Sequence, residues 1–161
     1  MTIAELGSLG ELIGSIAVIF TLIYLASQVR QGNVASLVES NQAINKKYSD
    51  FLKALYTNEV AFDVWSRGKK SYEALTVEEA TKFQLIMYDA FGNWHEQWYQ
   101  VECGVADDTQ FYRLLAGIRT ELRSLGVQEV WNIFEKYKMF DDKYIEFVRE
   151  QIEWINADRE T

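Results

Sequence analysis

The sequence predicts an all-α protein, one N-terminal transmembrane helix followed by a bundle of about five helices. Three observations carry that expectation. Proline is absent from the 161 residues, where average usage of about 5% would place several, and a chain without it can build uninterrupted helices. Apolar residues recur at helical spacing through most of the sequence, and Gly and Asp rather than Pro punctuate it. The segment Leu12 to Val29, LIGSIAVIFTLIYLASQV, contains no charge at all.

As a helix that charge-free segment is about 27 Å long, close to the roughly 30 Å hydrocarbon core of a bilayer. Ser15, Thr21, Ser27 and Gln28 weaken the membrane reading, and the alternative is a soluble bundle with the 12–29 run as its buried core helix. A soluble core helix normally keeps a polar stripe, whereas Ile16 to Leu25 is apolar all round except at Thr21. Membrane is therefore the favoured reading. MTIAELGSLGE carries Glu5 and Glu11 and no basic residue, unlike a signal-peptide n-region, so the segment is expected to stay attached. Arg30, Lys46 and Lys47 follow the run, which by the positive-inside bias places the N-terminus in the periplasm and the bulk of the chain in the cytoplasm. Gly10 and Gly14 form a GxxxG pattern, with Gly7 a turn earlier, the spacing that lets two helices approach closely in lipid.

Beyond Arg30 the helix is expected to continue to about Tyr56. Val34, Leu37, Asn41, Ile44, Tyr48, Phe51 and Leu55 alternate steps of three and four, and Val38 and Leu52 widen the stripe, favouring a face packed in a bundle over a two-stranded coiled coil. Asn58 to Ser66 reads as a short helix stopped by Gly68. Thr76-Val-Glu-Glu79 is a capping box opening a long helix to about Glu102, stopped near Gly104. In that helix Ala80, Phe83, Met87, Ala90, Trp94 and Val101 line one face, and Leu85, Tyr88, Phe91 and Trp98 thicken another. Asp107 or Asp108 caps the next helix, with Phe111, Leu114, Leu115, Ile118 and Leu122 as its stripe and Gly126 as its end. Val127 to Tyr137 and Asp142 to Asn156 supply two more helices. The domain reading is an anchor over 1–30, a cytoplasmic bundle over 31–157 and a frayed tail over 158–161.

Net charge is -8, from 24 acidic and 16 basic residues, with no basic cluster longer than Lys46-Lys47 or Lys69-Lys70, which argues against nucleic acid as a partner. The lone Cys103 cannot form an internal disulfide and reads as a packed side chain. His95 is the only histidine, and position 92 is glycine, so a paired Glu-x-x-His dimetal site is excluded in its usual form. Asp89, Asn93 and Glu96 share a helix face and read as solvated polar residues before they read as cation ligands. His95 with Tyr88, Phe91 and Trp98 is the candidate surface for a pigment or other small molecule. No GxSxG, GxGxxG or GK[ST] motif occurs, and no catalytic residue, metal site or cofactor is assigned.

IAVIFTLIYLASQVRQ (Ile16 to Gln31), TNEVAFDVWSRG (Thr57 to Gly68), LTVEEATKF (Leu75 to Phe83), the Gly104 break and VWNIFEKYKMF (Val130 to Phe140) together resemble an uncharacterised family of small bacterial membrane-anchored helical proteins. The resemblance covers most of the chain and implies a membrane-anchored helical domain, with no activity or ligand to carry over. The expected function is non-enzymatic: an accessory or scaffold subunit of a larger complex in the bacterial inner membrane, respiratory or photosynthetic. Its expected partners are membrane lipid, other subunits or a second copy. A small-molecule or pigment-binding helical module is the alternative.

Overall fold

The computed structural model describes residues 3–106 and 108–159, apart from the side chains of residues 4–6, 8, 9 and 12. The expected roles of the Leu12 side chain, of Asp107 and of residues 160–161 thus lie outside the described residues. The described residues form six helices and no strand: α1 (Ile3–Thr57), α2 (Glu59–Lys70), α3 (Val77–Glu102), α4 (Asp108–Leu122), α5 (Leu125–Lys136) and α6 (Asp142–Arg159).

The chain divides into two compact units, Met1–Gln42 and Ala43–Thr161, so the first unit extends beyond the boundary expected at residue 30. The reason lies in the α1 stripe: sustained core packing starts only at Ile44, Tyr48 and Phe51, which are half-buried, and Leu55, which is buried. In the first unit every side chain from Ile13 to Val29 is exposed. By length and composition α1 is the one helix among the described residues able to cross a membrane, and none of its apolar window is buried in the chain. The hydroxyls of Ser15 and Thr21 donate to the carbonyls of Glu11 (2.7 Å) and Ala17 (2.8 Å), so their protons are satisfied within the helix.

The second unit is built around α3. Asn58 caps α2 by accepting from the Ala61 N–H. The capping box of α3 forms as read: the Glu79 N–H donates to Thr76 Oγ1, and the Thr76 N–H donates to Glu79 Oε2 at 2.9 Å. At its far end Gly104 adopts φ +68, the left-handed conformation that closes a helix. Phe83, Met87, Ala90, Phe91, Trp94 and Trp98 of α3 enter the core, where Leu114, Ile118 and Leu122 of α4, Val127, Val130, Trp131 and Phe134 of α5, and Tyr144, Val148 and Ile155 of α6 meet them. The second α3 face therefore divides, because Leu85 and Tyr88 stay on the surface while Phe91 and Trp98 are buried.

Two glycines read as helix stops are points of contact instead. Gly68 lies within α2, and Gly126 near the start of α5, since α4 has already ended at Leu122. A Cβ on Gly126 would stand 1.8 Å from the Gly68 carbonyl oxygen, and one on Gly68 would stand 2.6 Å from the Phe83 ring. The absence of a side chain is what lets α5 meet the end of α2. Leu52 of α1 is exposed and does not widen the buried stripe. α6 runs through Asp158 and Arg159, assigned to the tail from sequence, and the Asp158 carboxylate there pairs with Arg123 at 3.2 Å.

Candidate functional site

The second unit carries a groove of about 540 Å³ where α3, the C-terminal part of α1 and the α5–α6 turn come together. Lys47 and Phe51 come from α1, Tyr88, Asp89, Gly92, Asn93, His95 and Glu96 from α3, and Met139, Phe140 and Asp141 from the turn. The turn takes its course from Lys138, which holds φ 50 after α5 ends. That left-handed residue lets the Met139 N–H return to the Phe134 carbonyl (3.0 Å) and directs the chain toward α3.

Of the four residues expected to form a ligand surface, Tyr88 and His95 line this groove. Phe91 and Trp98 belong to the core: Phe91 is fully buried between Trp94 and Trp131, and Trp98 stacks beneath His95 at 5.9 Å. The structure thus separates a set that the helical spacing had grouped. Asp89, Asn93 and Glu96, read as a solvated face, lie along the same groove as His95.

His95 Nε2 is 2.6 Å from Asp141 Oδ2. The other oxygen of Asp141 accepts from the Tyr144 N–H at 3.0 Å, and its backbone carbonyl accepts from Ile145, so Asp141 caps α6 while bonding to α3. Burial pushes the Asp141 carboxyl up, but the Tyr144 N–H and His95 outweigh it and hold the group below its ordinary value. Asp141 is the site residue that sequence reasoning missed. Its signal was an Asp directly before an amphipathic run, the mark of an N-cap.

Lys47 reaches from α1 to Glu96 at 2.5 Å. Asn93 is 3% exposed; its Nδ2 donates to the Asp89 carbonyl at 2.7 Å, and its Oδ1 is buried without a hydrogen-bond partner among the described residues. The lining contains no Ser, Thr or Cys. A histidine held by a carboxylate can shuttle a proton, but beside it stand carboxylates, an amide and aromatic faces rather than a hydroxyl or thiol nucleophile. Among the described residues no group of three His, Cys, Asp or Glu side chains is placed to hold a metal ion. Gly7, Gly10 and Gly14 are exposed on α1, with nothing within 4 Å of the position a Cβ would take.

No protein-family model matches the chain, and neither a curated protein nor a solved structure matches it significantly.

Proposed function

We propose that the chain is a single-pass protein of the bacterial inner membrane, N-terminus in the periplasm and helical unit in the cytoplasm. There it serves by contact, without catalysis, as an accessory or scaffold subunit of a larger membrane complex such as a respiratory or photosynthetic one. The supporting observation is the exposure of the whole run from Ile13 to Val29, whose side chains find no cover in their own chain. Exposed apolar surface of that length requires a cover of its own kind, and lipid is the cover that suits a helix apolar all round. The internal bonds of the Ser15 and Thr21 hydroxyls fit the same surroundings, because no water is needed to satisfy them. The open stretch at Gly7, Gly10 and Gly14 is the favoured place for a partner helix. This reading also agrees with the resemblance to small membrane-anchored helical proteins. The test is fractionation of the native cells, an alkaline carbonate wash of the membranes, and native mass measurement after mild detergent extraction. Retention in the washed membrane and a mass above that of one chain are expected; a soluble monomer overturns the proposal.

A further inference from the structure

We propose that the groove between Lys47, Asn93 and Asp141 binds a small organic cation carrying N–H donors, an alkylguanidinium or alkylammonium. Its volume, about 540 Å³, lies in the range of small-molecule sites rather than of single ions. Three carboxylates line it, Asp89, Glu96 and Asp141; Glu96 pairs with Lys47 and Asp141 with His95, and Asp89 stands outside both pairs. That balance repels anions and favours a cation. Phe51, Tyr88 and Phe140 supply aromatic faces, which attract organic cations, and the Tyr88 and Phe140 rings lie 5.6 Å apart.

The need for N–H donors comes from Asn93. Its Oδ1 is a buried acceptor that no described residue satisfies, and buried acceptors are normally paired. The amide cannot resolve this by turning over, because its Nδ2 is engaged by the Asp89 carbonyl and exchanging the two atoms would set oxygen against oxygen. Gly92, next to it, leaves the wall of the groove without a side chain and with nothing within 4 Å of the Cβ position. A bare metal ion fits less well, since the carboxylates and His95 do not converge as a ligand set. This proposal concerns the second unit alone and does not depend on membrane insertion.

Calorimetric titration of the full chain in non-ionic detergent tests it with four probes: n-butylguanidinium, n-butylammonium, tetramethylammonium and butyrate. Saturable binding is expected for the first two. Tetramethylammonium, which has charge but no N–H, should bind at least about tenfold more weakly, and butyrate not at all. Asn93→Leu removes the orphan acceptor and should weaken butylguanidinium about tenfold or more without lowering the melting temperature. Asp89→Asn, at an exposed position, should weaken it in a chain whose folding is not in question. Absence of saturable binding by both N–H cations up to millimolar concentration overturns the proposal. So does equal binding of tetramethylammonium or butyrate, or unchanged affinity in Asp89→Asn.

Discussion

At Gly126 the nearest obstacle to a side chain is a backbone atom, the Gly68 carbonyl oxygen, which no rotamer change can move aside. Gly126→Ala must therefore separate α5 from α2, and overpacking of this kind costs roughly 2 to 3 kcal/mol. Gly92 is the internal control, lying inside α3 with open space at its Cβ position. Gly92→Ala should stabilise the same unit by roughly 0.5 to 1 kcal/mol, the helix-interior penalty of glycine. Thermal melts of the two variants, followed by fluorescence of the buried Trp94 and Trp131, should move in opposite directions; a shared direction would show that local space does not decide the effect. These glycines also explain what the residues alone conceal. A glycine that ends a helix, as Gly104 does with φ +68, and one that admits a neighbouring backbone are the same letter in the sequence. The candidate site was half legible for a related reason. His95 and Tyr88 could be placed on one helix, but the Asp141 partner of His95 comes from 46 residues away and only the fold joins them.

Among the elements, the start of α3 shows how local chemistry becomes tertiary structure. Glu79 completes the capping box with Thr76 and also pairs with Arg67 of α2, so one carboxylate closes a helix end and ties two helices. The Arg67 hydrogen bond, followed by those from Thr76, lowers the Glu79 carboxyl from 4.5 to about 2. Because the folded state favours the ionised form, the unfolded chain binds more protons between those two values, and stability rises with pH there. The contribution is complete above about pH 4.5 and lost as pH falls through about 2. Glu79→Gln should lower the melting temperature at neutral pH and flatten its fall in acid by up to about one proton. Melting temperatures taken across pH 2 to 6 test this, and an acid slope equal to the parent's would remove Glu79 from the account. The capping box was readable because its partners lie three positions apart; the Arg67 tie was not, since it depends on how α2 returns to α3. The same limit governs the α3 faces. Period alone cannot tell that Phe91 and Trp98 are buried against α5 and α6 while Leu85 and Tyr88 stay exposed.

For the whole molecule, the test of the proposed topology is supplied by the chain itself. Cys103 is its only cysteine and, against the packed position expected from sequence, is exposed after α3. With the helical unit in the cytoplasm, a membrane-impermeant maleimide should leave it unmodified in intact cells and label it after disruption; labelling of intact cells would reverse the orientation. The membrane assignment can be separated from folding because the run and the core occupy different compact units. Phe20 and Ile23 lie near the middle of the run, 68% and 61% exposed, and neither belongs to the core of the second unit. An arginine at the centre of a spanning helix costs about 2.5 to 3.5 kcal/mol in insertion, so Phe20→Arg/Ile23→Arg should forfeit roughly 5 to 7 kcal/mol of it. On an exposed surface in water, the same pair should alter stability by only a few tenths of a kcal/mol per site. The double variant is expected to leave the carbonate-washed membrane fraction while the tryptophan-monitored melt of the second unit stays where it was. If it remains in the membrane, lipid is not what covers α1. If instead the melt collapses, the run supports the core, and its exposure in the isolated chain reflects a missing protein cover rather than a bilayer.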